Sequence, residues 1–186
     1  TFRSGNKSNA RERFGLLPNK QYIGTAGGLY KDKGVEVIYQ AWEKLKHEMP
    51  NVHLVLAGPY QPDYPPPEEE RVHYLGSLAH HEISTLFQAL DLGIISILDT
   101  PFGRYCFPQK AYEMLACDLP VVVANIGEMS YLFRDSPQVL FQTGNANDLA
   151  SKIQQQLQSP QQQSIVVEDW ATIIERLEPM ITALKF

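Results

Sequence analysis

The chain of 186 residues has room for one α/β domain with a sizeable hydrophobic core, but hardly for two domains with separate cores. Its 44% hydrophobic and 20% charged residues exclude intrinsic disorder, and its net charge of -5 argues against nonspecific nucleic-acid binding through a basic surface. The sequence contains no run apolar enough to span a membrane and no opening signal segment, so we expect a cytoplasmic protein.

The first part of the chain predicts a parallel sheet. Residues 1–20, polar and basic up to Phe14, are interpreted as a linker from a missing N-terminal domain, because the chain does not begin with Met. Over residues 21–160, short apolar runs alternate with segments of helical period. The runs lack in-out alternation, which is typical of strands buried on both faces. The predicted strands are Tyr22 to Ala26, Val52 to Ala57, Val72 to Leu75, Leu92 to Ile97, Pro120 to Ala124 and Val139 to Phe141.

The segments between the strands have apolar residues at helical spacing. Strands that alternate with helices form βαβ units with right-handed crossovers. We therefore predict an α/β fold: a doubly wound, Rossmann-like parallel sheet of about six strands with helices on both faces. The helical stripes are Val35, Ile38, Ala41, Trp42 and Leu45; Ile83, Leu86, Phe87 and Leu90; and Leu149, Ile153 and Leu157.

The end of the chain predicts a linker and a last helix. The glutamine-rich residues 154–163 are interpreted as a frayed helix end followed by a polar linker. Residues 161–186 predict an amphipathic helix that packs on the domain, from where it could reach the missing half, with Pro179 kinking or ending it. Trp42 and Trp170 both lie on apolar helical stripes, so we expect both in the core rather than stacked on a ligand.

The cysteines and histidines predict neither a disulfide nor a metal site. Cys106 and Cys117 would lie roughly 16 Å apart across a mostly helical segment, too far for a disulfide, so both are interpreted as free thiols. The five histidines show no His-Glu-x-x-His spacing and no Cys-x-x-Cys partner, and no Asp-x-Asp pair occurs. We therefore expect no metal and no cofactor.

The first candidate site is the loop at residues 24–34, where a predicted strand leads into a helix. Parallel sheets of this class bind ligands at the carboxyl ends of their strands. Gly27 and Gly28 permit close backbone approach, and Lys33 adds a positive charge near a helix N-terminus, which suits a phosphate. The loop is neither a Gly-x-Gly-x-x-Gly fingerprint nor a Walker loop, and a tight turn with a solvated lysine is the alternative.

The second candidate site is the segment at residues 102–122. Pro108 predicts the first helical position, so Gln109 and Lys110 should offer free N–H groups at a helix N-terminus. Lys110 and Glu113 lie three residues apart on one helix face, and the alternative interpretation is a simple ion pair between them. Their position at the mouth of the sheet favours a cation and a hydroxyl-binding carboxylate that act together.

Five stretches of the sequence, taken in order, resemble a known family. Together they are similar to the C-terminal, donor-binding half of a GT-B glycosyltransferase, of the retaining family-four type found in bacterial polysaccharide and lipopolysaccharide synthesis. The resemblance implies transfer of a sugar from a nucleotide diphosphate sugar to a glycan or lipid-linked acceptor, which a missing N-terminal domain would bind. The stretches are Gly-Leu-x-x-x-Lys-Gly at 28–34, Leu-Val-Leu-Ala-Gly-Pro at 54–59, Tyr-Leu-Gly at 74–76, Ala-Leu-Asp-Leu-Gly at 89–93 and Tyr-Glu-Met-Leu-Ala-Cys-Asp-Leu-Pro-Val-Val at 112–122.

The resemblance also implies roles for individual residues. Lys33 would contact the donor diphosphate, and Glu113 would bind the ribose hydroxyls. Gly28 stands where the family usually has an arginine, and Tyr105 where it often has a glutamate, so we expect Lys110, or else Arg104, to supply the missing cation. Lys33 and Lys110 are then the predicted electrostatic catalysts. The remaining donor-binding candidates are Gly27 in the first glycine loop, Gly76, Ser77 and Leu78 near the base, and Arg104, Cys106, Phe107 and Gln109 near the phosphates and sugar.

Two other functions stay open at this point. One is a nucleotide-sugar epimerase or phosphorylase of the same fold. The other is a noncatalytic nucleotide-binding or interaction domain, suggested by Gly28 and Tyr105. For the leading interpretation we expect a nucleotide sugar as partner and no nucleic acid. The full-length protein could associate peripherally with the inner face of the membrane. We expect little transfer activity from this chain alone.

Overall fold

A parallel sheet of six strands forms the centre of the computed structural model, which describes residues 2–161 and 165–183. The strand order is β3-β2-β1-β4-β5-β6, and every pairing is parallel. All residues of β2, β4 and β5 are buried, as they must be in a sheet covered on both faces. The strands are β1 (Gln21–Ala26), β2 (Val52–Ala57), β3 (Val72–Tyr74), β4 (Leu92–Ile95), β5 (Val121–Ala124) and β6 (Leu140–Phe141).

Helices cover both faces of the sheet, which confirms the predicted doubly wound α/β fold. The helix after β1 packs against the helix after β6, and Trp42, which belongs to the helix after β1, is fully buried in the core, as predicted. The helices are α1 (Lys7–Arg13), α2 (Val35–Glu48), α3 (His80–Ala89), α4 (Pro101–Tyr105), α5 (Gln109–Ala116), α6 (Gly127–Leu132), α7 (Ala146–Gln158) and α8 (Trp170–Thr182), with 3-10 turns at Lys31–Lys33 and Pro137–Val139.

The start of the chain is a packed helix where a linker was predicted. The Asn6 side chain caps α1 by accepting from the Asn9 amide, and the helix packs against α3. Arg11 is buried, donates to the Ala89 carbonyl at 3.0 Å, and pairs with Asp91 at 2.6 Å. The prediction of a linker over residues 1–20 misses this helix because its polar, basic sequence hides an arginine whose partners lie some eighty residues further along the chain.

The last helix buries none of its described residues, so the structure gives no support to its predicted packing on the domain. α8 forms as the periodicity predicts, and it continues through Pro179 to Thr182. None of its residues is buried, and Trp170 is 74% exposed, so its predicted place in the core is wrong. The rest of the predicted 161–186 segment, at 162–164 and 184–186, lies outside the described residues. No described helix is both long and apolar enough to cross a membrane.

The strand order fixes where a ligand site can form. The chain runs outward from β1 to β3 and then returns to place β4 on the other side of β1. Loops leave the carboxyl ends of β1 and β4 in opposite directions and open a crevice between them, which is where doubly wound sheets bind ligands. Both candidate segments of the sequence reach this crevice, because residues 27–34 of the first follow β1 and residues 102–110 of the second lie in the connection that follows β4.

Candidate active site

The floor of the crevice is two glycine loops in close contact. Gly27 follows β1 with φ 115°, and Gly58 follows β2 with φ 125°; both angles lie in a region that side chains disfavour. A Cβ atom on Gly58 would lie 2.0 Å from the Gly27 carbonyl oxygen, so no other residue fits at this position without displacing backbone. The two loops therefore leave the carboxyl edge of the sheet free of side chains at this point.

Lys33 ends a short 3-10 turn beside the crevice. Gly34, with φ 68°, joins this turn to α2, and a Cβ atom there would lie 2.4 Å from the Ser96 hydroxyl oxygen. The half-buried Lys33 side chain extends across the crevice toward the loop after β4. Its Nζ lies 3.7 Å from the ring centroid of Phe102, at cation–π distance.

Lys110 reaches the same place from α5. Its Nζ donates a hydrogen bond to the Thr25 hydroxyl at 3.3 Å and faces Gly27 across the crevice. Burial and the positive charge of Lys33 lower the pKa of Lys110 to about 8, and the nearby Glu113 carboxylate opposes the shift. The structure thus brings the side chains of Lys33 and Lys110 to one crevice, where the charge of Lys33 acts on Lys110.

Glu113 lies one helical turn beyond Lys110 and is half-buried. Its Oε1 accepts a hydrogen bond from the Gln109 side-chain amide at 2.8 Å. The alternative ion pair between Lys110 and Glu113 does not form within 4.0 Å among the described residues. The backbone N–H of Gln109, predicted to be free for a ligand, instead donates to the Phe107 carbonyl at 2.9 Å, and Pro108 lies just before α5 rather than in it.

Arg104, the alternative candidate for the missing cation, is paired with a carboxylate. The Arg104 guanidinium donates to Asp99 at 2.5 Å, which raises the pKa of Arg104 and lowers that of Asp99. Arg104, the second candidate for the missing charge, is therefore committed to a carboxylate on the surface. At Gly28, a Cβ atom would lie 2.4 Å from the ring of Tyr30, so an aromatic ring fills the space where the expected arginine side chain would begin.

The remaining predicted residues border the crevice in two groups. Tyr105 is 88% exposed and Phe107 stacks on Tyr112 with centroids 5.5 Å apart, so both lie on the outer surface of the loop after β4, beside half-buried Cys106. The loop after β3 has Gly76, whose carbonyl accepts from the Gly58 amide at 2.7 Å. In this loop Ser77 is exposed and Leu78 is half-buried against the core.

Three residues of the crevice have no role predicted from the sequence, although two of them lie within the candidate segments. Thr25 holds Lys110, Phe102 holds Lys33, and Ser96 places a buried hydroxyl that lacks a hydrogen-bond partner among the described residues next to Gly34. A polar residue at the end of a buried strand is a signal for Thr25 and Ser96, but nothing marks Phe102. Among the described residues, no group of three or more His, Cys, Asp or Glu side chains could hold a metal ion.

Comparison with known proteins decides the family. The family model described as "Glycosyl transferases group 1" matches residues 20–159, which is most of the chain. The chain belongs to the group 1 glycosyl transferases. The matched range runs from just before β1 to the end of α7, so this family assignment covers the whole sheet and both lysines of the crevice.

Individual relatives of this glycosyl transferase domain agree with the assignment. The chain is 28% identical over 146 residues to the D-inositol 3-phosphate glycosyltransferases of Mycobacterium marinum and Mycobacterium tuberculosis. It covers 29% and 28% of their lengths, so it spans less than a third of these curated relatives. Among solved structures, sucrose-phosphate synthase from Thermosynechococcus elongatus matches with TM-score 0.76 and 20% identity, covering 97% of this chain and 49% of that one.

A second solved structure shares the fold and was solved with a nucleotide sugar. HepE from Anabaena, in complex with UDP-glucose, matches with TM-score 0.76 and 22% identity. The match covers 97% of this chain and 54% of HepE. A C-terminal domain of a group 1 glycosyl transferase from Francisella tularensis matches over 94% of both chains, with TM-score 0.70 and 16% identity. The chain therefore has the fold of about half of a GT-B glycosyltransferase.

Proposed function

We propose that this chain binds the nucleotide diphosphate sugar of a glycosyltransferase. The observation that carries the proposal is the convergence of Lys33 and Lys110 on the crevice beside β1, each with an uncharged partner. A neutral partner orients an ammonium group without cancelling its charge, so both charges remain available to an anion. The family assignment and the nucleotide sugar bound to HepE support a donor diphosphate as that anion.

Glycosyl transfer from a nucleotide diphosphate sugar requires a cationic site of this kind. When the bond between the anomeric carbon and the phosphate oxygen breaks, negative charge grows on the departing nucleoside diphosphate while the sugar becomes oxocarbenium-like. Fixed cations at this position stabilise the transition state more than the ground state. Lys33 and Lys110 supply these cations in our proposal, and no metal cofactor takes part. Removal of one preorganised contact of this kind typically lowers turnover by about 10²- to 10³-fold.

We assign the rest of the donor to the residues beside the two lysines. Glu113 has one carboxylate oxygen held by Gln109, which orients the group to accept hydrogen bonds from the ribose hydroxyls. The loop after β3 borders the base. The acceptor, a glycan or lipid-linked sugar of bacterial polysaccharide or lipopolysaccharide synthesis, binds across the crevice to another domain, and transfer retains the anomeric configuration. This chain by itself binds donor and transfers little.

Calorimetric titration of the chain with a panel of nucleoside diphosphates and their sugars tests this function. At least one member should bind, and Lys33→Ala should weaken its affinity by about ten- to hundredfold, the value of a hydrogen bond to a charged group. The matched control is Lys44→Ala, an exposed lysine further along α2, which should bind like the wild type. Absence of binding to every member would favour the noncatalytic alternative, and unchanged binding by Lys33→Ala would refute the role of Lys33.

A further inference from the structure

Phe102 lies in an unusual position for a half-exposed phenylalanine. It is 49% exposed on α4, and its ring contacts the ammonium of Lys33 rather than the hydrophobic core. The distance of 3.7 Å from Nζ to the ring centroid is shorter than those of the arginine–aromatic contacts elsewhere in the described residues, at 4.3, 5.1 and 5.3 Å. This contact joins the loop after β4 to the loop after β1 across the crevice.

The backbone holds the ring in place. Thr100 caps α4 by accepting from the Gly103 amide at 3.1 Å, and Pro101 occupies the first turn. Gly103 is buried, and a Cβ atom there would lie 2.2 Å from the Leu98 carbonyl oxygen, so α4 packs directly on the chain that leaves β4. The backbone that carries Phe102 is therefore held in place, whereas the Lys33 side chain has four rotatable bonds that must be restrained.

The chemistry of the partner matters as much as its position. Lys46 on α2 pairs with Glu43 and Glu69 at 2.9 and 2.8 Å, and these carboxylates compensate its charge. An aromatic ring attracts an ammonium through its quadrupole and carries no net charge. A lysine held by a ring keeps its full attraction for an anion, whereas a lysine held by a carboxylate must first give up its partner.

We propose that Phe102 is a positioning residue, which holds the Lys33 ammonium over the crevice so that it meets the donor diphosphate without reorganising. This inference rests on the proposed function. Without the ring, Lys33 samples many rotamers in the free protein, and binding must order it again. Because Phe102 lies in the segment after β4, the position of the Lys33 ammonium depends on that segment. The sequence alone does not show this connection.

Pyrophosphate titrations of Phe102→Leu and Phe102→Tyr test the inference at pH 6.5, well below the pKa of about 8 of Lys110. Phe102→Leu should weaken pyrophosphate binding by about three- to tenfold, the range of a cation–π contact, and Phe102→Tyr should bind like the wild type. On a Lys33→Met background, Phe102→Leu should cause no further loss, because the ring then has no cation to hold. The matched control is Tyr131→Leu, which removes from α6 the aromatic ring that contacts the Arg134 guanidinium. This variant should bind like the wild type.

A second readout reports on the contact without any ligand. Ring current from Phe102 should shift the ε-methylene protons of Lys33 upfield in the NMR spectrum, and Phe102→Leu should remove this shift. Equal pyrophosphate affinity of Phe102→Leu and wild type, or an equal loss on the Lys33→Met background, would overturn the inference while the proposed function stands. If the wild type binds neither pyrophosphate nor any nucleoside diphosphate, the proposed function fails and the inference fails with it.

Discussion

Lys110 shows how a single residue acquires its properties from the fold. From the sequence it is a lysine in the first turn of a helix, three residues before a glutamate. In the structure Gln109, and not Lys110, donates a hydrogen bond to this glutamate. Lys110 instead donates to the hydroxyl of Thr25 on β1, 85 residues earlier. The fold brings Lys110 to the crevice beside Thr25, and burial together with the charge of Lys33 lowers its pKa. Only the folded chain brings these groups near.

The lowered pKa of Lys110 predicts a pH dependence of donor binding. In the free protein Lys110 loses its proton as the pH rises through about 8, well below its ordinary pKa of 10.5. A bound diphosphate stabilises the charged form, so binding takes up a proton above pH 8 and affinity falls there by up to about tenfold per pH unit. Titrations of whichever nucleoside diphosphate binds in the panel, run from pH 6.5 to 9.5 in buffers of different ionisation enthalpy, measure both effects.

The control for this prediction is Lys110→Arg, because an arginine stays charged throughout this range. Whatever its absolute affinity, this variant should bind with little change between pH 7 and 9.5. A wild-type affinity that is equally flat over the same interval would contradict the assignment of Lys110 to the diphosphate.

The Glu113→Gln variant distinguishes the contribution of the ribose to binding from that of the phosphates. The glutamine keeps the shape of the side chain but accepts weaker hydrogen bonds, so nucleoside diphosphates should bind about five- to tenfold more weakly at pH 6.5. Pyrophosphate, which has no ribose, should bind this variant and the wild type alike. The ratio of the two affinities, measured by calorimetry, is the readout, and an equal loss for both ligands would place Glu113 at the phosphates instead.

At the scale of elements, the internal strands were the easiest part to predict. β2 and β5 are continuous apolar runs, and burial on both faces requires that pattern, so sequence and structure agree there. The two ends were harder for opposite reasons. α1 is polar yet packed, since Arg11 finds partners on distant segments, and α8 is amphipathic yet outside, since periodicity shows that a helix has an apolar face but not what this face meets.

The anchoring of α1 gives a stability prediction. Arg11 is buried against Asp91, which also accepts from the Tyr22 amide at 2.8 Å. Arg11→Met leaves this carboxylate without its main partner, and loss of one member of a buried pair typically costs 3–5 kcal/mol, so we expect the free energy of unfolding to fall by about 3 kcal/mol. Urea unfolding followed by circular dichroism measures the change.

Lys7 provides the comparison for Arg11. It pairs with the other oxygen of Asp91 at 2.9 Å, but its side chain is about half exposed. Lys7→Met should lower the free energy of unfolding by less than about 1 kcal/mol, as exposed ion pairs usually do. Equal losses for the two variants would mean that Arg11 contributes only its charge, and that α1 is not anchored by the buried pair.

At the scale of the whole molecule, the site depends on the strand order. Lys33 and Lys110 lie 77 positions apart in the sequence and meet because β4 returns to the side of β1. The alternating pattern of strands and helices predicts a doubly wound sheet, and such sheets bind ligands at the strand ends, so the sequence predicts the crevice as the candidate site. The pairing of each lysine with a neutral partner does not follow, because it depends on side-chain contacts between segments that no local pattern links.

The contrasting places of the two tryptophans make the protein its own optical reporter. Trp42 is 1% exposed, donates from its indole to Glu69 at 3.1 Å, and lies beneath the Arg71 guanidinium, so its emission should follow the integrity of the interior. Trp170, on the outer helix, is open to a collisional quencher such as acrylamide. One fluorescence titration can therefore distinguish an event that loosens the interior from one that merely shields the outer helix.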